Sequence, residues 1–142
     1  MIDKIQLINK TLNPDEIMDI VRTNNLQINS RDGDTFYNNL KKKNIQDGGV
    51  FIQIQINNRL KVECSLHKYY NHLTTGKNLN FNNFTLIQAK ENALELIKSK
   101  GISENNLLVY MYEIGLNLEV KKDCRAYLDL MKSIGTPGRE KE

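Results

Sequence analysis

The chain has 142 residues, a mass of 16.4 kDa and a formal net charge of +3. That length is enough to bury one hydrophobic core without disulfides or a structural metal, and no apolar run reaches the roughly 18 residues of a membrane helix. The amino terminus lacks a signal-peptide pattern, and Cys64 and Cys124 form no CxxC pair. We therefore expect a cytoplasmic protein with one domain over 1–134 and a flexible charged tail over 135–142.

Strand and helix patterns alternate in the first half of the chain. The segment around Ile5 and Leu7 has the alternation of a strand, and Asn13-Pro14 followed by two acidic residues is a strong helix start, so the sequence predicts a helix over 14–24. Between 27 and 44 the pattern is ambiguous, and we expect a strand or a short irregular element there. Alternation returns at 50–56 and 60–66, which predicts a hairpin with one buried face and one polar face.

The polar face of this hairpin offers Gln53, Gln55, Lys61 and Glu63, with Phe51 among them. A loop is expected over 67–83, followed by a helix over 84–100 that ends at Gly101. A strand is predicted over 107–120, with Leu108, Tyr110, Tyr112 and Ile114 on one side. A last helix is predicted over 124–134, with Asp123 as its cap.

This order of elements resembles the split β-α-β of ferredoxin-like folds. The sequence therefore predicts an α+β protein with a ferredoxin-like antiparallel sheet, helices on one face and the other face open.

The segment SLHKYYNH, residues 65–72, holds both histidines of the chain beside two adjacent tyrosines. His67 and His72 are five residues apart with no third ligand at a suitable spacing, so we expect no metal and no cofactor. Nicking enzymes use a tyrosine hydroxyl as nucleophile, but they also need an ion held by a His-hydrophobic-His pair, which this chain lacks. We interpret the segment as a strand end that meets water, and we expect no catalytic residue in it.

Positive charge is concentrated in the middle of the chain, where residues 35–90 carry eight Lys or Arg against two Asp or Glu. Such a field suits a polyanion, although a solvated lysine surface has the same composition. The candidate phosphate contacts and stacking residues are Lys41, Lys42, Lys43, Arg59, Lys61, His67, Lys68, Tyr69, Tyr70 and Lys77. Stacking on the tyrosines would favour single-stranded RNA or DNA.

Two segments, 65–102 and 109–120, resemble the amino-terminal region of phage and plasmid replication initiators of Bacteroidota that are related to the filamentous-phage gene II protein. The residues that carry the resemblance are Ser65, Lys68, Tyr69, Gly76, Asn78, Phe81 or Phe84, Glu113, Gly115 and Asn117. The resemblance implies a mobile-element origin and contact with nucleic acid or a nucleoprotein. The histidines and tyrosine of the nicking chemistry have no counterpart at matching positions.

Our hypothesis is a non-catalytic binding protein of phage or mobile-element origin that engages nucleic acid or a nucleoprotein complex. By analogy of type, it resembles inhibitors of host defence such as anti-CRISPR proteins, which occupy an RNA-guided nuclease. The alternative is a replication initiation domain that nicks single-stranded DNA. A homodimer that uses the open sheet face is a third possibility.

Overall fold

The computed structural model of the protein describes residues 2–31, 33–39, 48–80, 82–115 and Arg125. The elements in chain order are β1 (Ile2–Asn9), α1 (Pro14–Asn24), β2 (Gln27–Arg31), β3 (Asp34–Asn38), β4 (Phe51–Ile54), β5 (Leu60–Ser65), α2 (Leu66–Thr75), α3 (Leu86–Ser99) and β6 (Leu107–Ile114). The strands form one antiparallel sheet in the order β2-β3-β4-β5-β1-β6. This confirms the predicted α+β class. Within the described ranges, no helix has the length and apolar character needed to cross a membrane.

Four of the strands, in the order β4-β5-β1-β6, lie next to one another and end the sheet at β6. Helix α1 lies in the chain between β1 and β4, and α2 and α3 lie between β5 and β6. This connectivity is compatible with the ferredoxin-like arrangement that the sequence predicts. The hairpin of β2 and β3 extends the sheet beyond β4 and accounts for most of the segment whose pattern was ambiguous.

Strand register gives the sheet one apolar face. Ile5 lies opposite Cys64, Leu7 opposite Val62, and Val62 also opposite Ile52. Because side chains alternate along a strand, these partners all point to the same side. They share one core cluster with buried residues of all three helices, including Ile20, Leu66, Tyr69, Ala89, Leu96 and Ile97. The helices therefore cover one face of the sheet.

Helix α1 begins and ends where the sequence predicts. The Asn13 side chain accepts a hydrogen bond from the Glu16 N–H, and the Glu16 side chain accepts one from the Asn13 N–H, which is a complete capping box. The helix ends at Asn25 in the left-handed conformation, with φ of 49°. Helix α3 likewise confirms the helix predicted over 84–100, with slightly narrower bounds.

The loop predicted over 67–83 is wrong in its first half, because residues 66–75 form α2. Ser65 ends β5 and also caps α2, since its side chain accepts a hydrogen bond from the Lys68 N–H. The helix ends at Gly76, whose φ is 71°. Strand β5 therefore passes directly into α2 without a turn. Because the strand-like alternation of the sequence continues to Leu66, it does not mark the start of the helix.

Strand β6 starts as predicted and is described as far as Ile114. Its predicted division into two sides is wrong after Tyr110, because the register with β1 shifts between Gln6 and Leu7. Tyr112 pairs with Ile5 and so lies on the helix side of the sheet. The predicted helix over 124–134, apart from Arg125, and the tail over 135–142 lie outside the described residues.

Gly48 and Gly49 offer a matched test of packing under α2. Both have positive φ, 71° and 77°, but a Cβ on Gly48 would lie 2.8 Å from Cδ2 of Tyr69, whereas one on Gly49 would meet nothing within 4 Å. We expect Gly48→Ala to lower the free energy of unfolding by about 1–3 kcal/mol more than Gly49→Ala does. Urea unfolding of the two variants measures this difference, and equal losses would contradict the described contact.

Candidate nucleic-acid interface

The face of the sheet away from the helices carries polar, aromatic and basic side chains. Phe51 lies opposite Glu63, and Gln53 opposite Lys61, on this side. In β3, Asn38 lies opposite Gln53, which places Phe36, two residues earlier, on the same side. These side chains are only half-buried, and no described helix covers them. We call this side the open face.

Two depressions lie next to each other on the open face. The first, of about 390 Å³, is lined by Phe36, Gln53, Gln55, Ile56 and Asn57. The second, of about 410 Å³, is lined by Ile8, Lys10, Asn57, Arg59, Leu108, Val109 and Tyr110. Asn57, in the turn between β4 and β5, lines both, so the depressions are adjacent across the end of the hairpin, and we call the two together the groove. Each is large enough for a small planar group.

A register shift between β6 and β1 determines the position of Tyr110 in the groove. Leu7 pairs with Val109 and Gln6 with Met111, which leaves Tyr110 as the extra residue of a β-bulge. The Arg59 guanidinium carbon lies over the Tyr110 ring, 6.0 Å from its centroid, at the outer limit of a cation–π contact. The Tyr110 side chain nevertheless remains 63% exposed. An aromatic surface and a cation are thus presented together.

Beyond the groove, the open face carries a group of ion pairs. Glu63 bridges two lysines, with Lys4 Nζ 2.8 Å from one carboxylate oxygen and Lys61 Nζ 3.0 Å from the other. Hydrogen bonds from Lys4 and then Lys61 lower the pKa of Glu63, and the same contact with Glu63 raises the pKa of Lys4. Glu113 also lies 4.0 Å from Lys4 Nζ, so two carboxylates face the two lysines. The basic end of the open face is therefore at Arg59 and the exposed Lys10.

The candidate cations of the sequence are divided between two sides of the molecule. Arg59 and Lys61 lie on the open face. The Lys61 Nζ is 3.0 Å from a carboxylate oxygen of Glu63. Lys68 is exposed on α2, and Lys77 is exposed just after that helix, on the helix side. The structure therefore does not bring these two groups together. Lys41, Lys42 and Lys43 lie outside the described residues.

Two side chains of SLHKYYNH, His67 and Tyr69, belong to the interior of the helix layer. His67 is fully buried, its ring stacks on Phe84 with centroids 4.7 Å apart, and its Nε2 lies 2.7 Å from Oδ1 of Asn82. The Tyr69 side chain is buried, with its hydroxyl 3.1 Å from the Ser99 hydroxyl. The expectations that His67 meets water and that Tyr69 contacts nucleic acid are therefore corrected. Burial on the inner face of α2 is the reason.

Tyr70 is half-buried, and its hydroxyl accepts a hydrogen bond from Gln88 at 3.2 Å. Its ring also packs obliquely on Phe84, 5.5 Å between centroids. It therefore faces α3 and the loop that leads into it. A contact between Tyr70 and a nucleic acid on the open face is excluded by this position.

Polar side chains around His67 fix the loop between α2 and α3. Asn71 and Asn82 exchange two side-chain hydrogen bonds, at 2.7 Å and 3.0 Å, and Asn71 also donates to the Leu79 carbonyl. Since Asn82 Oδ1 also pairs with His67 Nε2, the three side chains form one hydrogen-bonded cluster, in which His67 Nδ1 has no partner among the described residues. Their role is to hold the loop onto α2.

Residues of the groove that sequence reasoning missed are Phe36, Asn57, Tyr110 and Lys10. Phe36 was hidden in the ambiguous segment, and Tyr110 depends on a bulge that only pairing with β1 reveals. Asn57 lies between the two alternating segments of the predicted hairpin, where the sequence indicates no binding role. The alternation of β4 and β5 did point to Gln53 and Gln55.

No group of three or more His, Cys, Asp or Glu that could hold a metal ion occurs among the residues that the structure describes. No protein-family model matches the chain, and no match was found among curated proteins or solved structures. The resemblance to replication initiators stays a prediction. Several of the residues that carry it have structural tasks, since Ser65 and Gly76 cap α2 and Phe84 packs on His67.

Replacement of Glu63 by Gln tests the ion pairs on the open face. The folded state lowers the pKa of this carboxyl from its ordinary value of 4.5, so its stabilisation is present above the unfolded pKa and is lost as the pH falls through the folded value. We expect wild type to lose about 0.5–1 kcal/mol more stability than Glu63→Gln on acidification. Urea unfolding at a series of acid pH values measures this, with Glu91→Gln, an exposed carboxylate of α3, as the control. Parallel curves for wild type and Glu63→Gln would contradict the pairing.

Asn82 and its neighbour Asn83 test the structural role of the buried polar cluster. Asn82→Ala removes the partner of His67 and of Asn71, and each buried group left without a hydrogen bond costs about 1–3 kcal/mol. We expect a loss of at least about 2 kcal/mol in the free energy of unfolding for Asn82→Ala. For the exposed Asn83, replacement by Ala should change the free energy of unfolding by no more than about 0.5 kcal/mol. Equal effects in thermal or urea unfolding would argue against the cluster.

Proposed function

We propose that this protein is a non-catalytic binding protein that engages single-stranded nucleic acid through the open face of its sheet. The observation that carries the proposal is the groove in which Arg59 lies over the exposed Tyr110 ring, with Lys10 beside them. Proteins that bind single strands without strict sequence preference combine a positive groove with aromatic side chains on which bases stack. An open antiparallel sheet is a suitable platform for such side chains.

Base stacking has two candidate positions in the groove. Tyr110 offers an exposed ring in the second depression, and Phe36 lines the first. Between them, Asn57 belongs to both depressions, and Gln53 and Gln55 line the first. Amide side chains supply both donors and acceptors, so they suit the polar edges of bases. Neighbouring nucleotides of one strand would therefore fit adjacent depressions.

Phosphate contacts would come from the basic end of the groove. Arg59 and Lys10 lie there, whereas Lys61 is engaged by Glu63 and adds less net charge. With two or three phosphates neutralised, the logarithm of the association constant should fall with the logarithm of salt with a slope of about −1.4 to −2. Binding is therefore expected to be weak at high ionic strength.

The positions of the tyrosines favour binding without strand cleavage. The Tyr69 hydroxyl is buried against Ser99 and the Tyr70 hydroxyl is held by Gln88, both on the helix side. Neither is presented to a strand in the groove, so the nicking alternative gains no support from this geometry. A nucleoprotein complex such as an RNA-guided nuclease offers the same bases and phosphates. The proposed partner therefore includes single-stranded nucleic acid that is held in such a complex. A mobile-element origin remains part of the proposal through the resemblance alone.

Fluorescence anisotropy with labelled oligothymidylate and oligouridylate at low salt tests the proposal. Loss of one stacked base costs about 1–3 kcal/mol, so Tyr110→Ala should weaken binding by about 5- to 150-fold, while Tyr110→Phe keeps the ring and most of the affinity. Arg59→Ala should also reduce the salt slope by about 0.7.

Lys68→Ala is the matched control, because Lys68 is an exposed cation on the opposite side of the molecule. Its affinity for both oligonucleotides should be close to that of wild type. The proposal fails if wild type binds neither oligonucleotide at low salt. It also fails if Lys68→Ala weakens binding as much as Tyr110→Ala does.

A further inference from the structure

The two edges of the sheet differ in character. Edge strand β2 is short and polar, with the sequence QINSR, and it ends in a charged residue. Edge strand β6 has eight residues, LLVYMYEI, of which only Glu113 is charged. Short length and charge are the usual devices that keep a sheet edge from pairing with another chain. Strand β2 has both, whereas β6 is long, has one charged residue and departs from a regular edge at the bulge at Tyr110.

Strand β6 also exposes large apolar side chains on both faces of the sheet. Val109 and Tyr112 are each 59% exposed, and Ile114 is 67% exposed. Leu108, Tyr110 and Met111 are exposed as well. Only one edge of β6 is paired by a described strand, namely by β1. A long apolar edge of this kind marks a contact site.

We propose that β6 pairs with β6 of a second copy of this chain, in antiparallel orientation about a two-fold axis, so that one sheet continues through both copies. This inference does not rest on the proposed nucleic-acid function. Antiparallel pairing of identical strands is the natural two-fold arrangement, because each residue then meets the same partner in both copies.

The sequence of β6 is complementary to itself in this orientation. With the axis between Tyr110 and Met111, Val109 faces Tyr112 of the other copy, which is a favourable β-branched–aromatic pair. Glu113 faces Leu108, so the only charged residue of the strand does not meet its own copy. Like charges directly opposite each other, which would disfavour the pairing, are therefore avoided.

The available area suits a reversible dimer. From the exposed fractions of its six large apolar side chains, β6 can remove at most about 600 Å² per copy from water, somewhat below the 800 Å² or so per partner of a standard interface. Backbone hydrogen bonds along the strand add to this. The two-fold axis stands perpendicular to the sheet, so both open faces would lie on the same side, with the two Tyr110 residues close to the axis.

Sedimentation velocity of the full chain over a concentration series, without nucleic acid, tests the dimer. We expect a monomer–dimer equilibrium whose dissociation constant rises at least about fivefold in Tyr112→Lys and stays close to that of wild type in Tyr112→Phe. Tyr112 lies on the helix side, so its replacement leaves the groove unchanged. Val109→Lys is a second variant, should Tyr112→Lys fail to fold by circular dichroism.

Ile28→Lys is the matched control, since Ile28 is 68% exposed on β2, the opposite edge strand. A wild type that is monomeric at all concentrations overturns the inference. So does a dimer that is weakened by Ile28→Lys and not by Tyr112→Lys or Val109→Lys.

Discussion

The register between β1, β5 and β4 is the constraint on which the rest of the structure depends. A shift by one residue would move every apolar side chain of a strand to the other face, where nothing described would cover it. In the observed register, the apolar side chains of these strands pack against the three helices. Cys64 is one of these side chains, and its burial raises the pKa of the thiol to about 12, so it acts as a packing residue without the reactivity of a thiolate.

The same register separates two classes of polar residue. Those on the helix side, such as His67 and Asn71, are buried and both pair with the Asn82 side chain, so they hold the loop after α2. Those on the open face, such as Gln53 and Arg59, remain within reach of a ligand. A functional site is therefore better sought on the open face than in the histidine- and tyrosine-rich segment that stands out in the sequence.

Local signals predicted the elements that local chemistry determines. Helix α1 followed from Asn13-Pro14 and the two acidic residues after them, and the β4–β5 hairpin followed from the alternation over 50–56 and 60–66. Helix α2 was missed because Ser65 is at once the last residue of a strand and the cap of a helix, so no turn residues mark the boundary. The sides of β6 were missed because the bulge at Tyr110 is set by pairing with β1, which is distant in sequence.

Prediction of the site was limited for a related reason. Composition located the positive charge in the middle of the chain, but charge along a sequence does not report the face on which each residue lies. Arg59 and Lys61 were identified and do share the open face, whereas Lys68 and Lys77 follow the strand-to-helix transition and lie on the other side. Phe36 and Tyr110 reach the groove only through tertiary pairing.

The most direct test of the account is a titration of the isotopically labelled protein with a short oligothymidylate, followed by amide chemical shifts. The account predicts that the largest shifts occur at Asn57, Arg59 and Tyr110, with little change at Lys68 and Lys77. Shifts confined to α2 and the loop that follows it, or no shifts at all, would contradict the assignment of the open face as the binding surface.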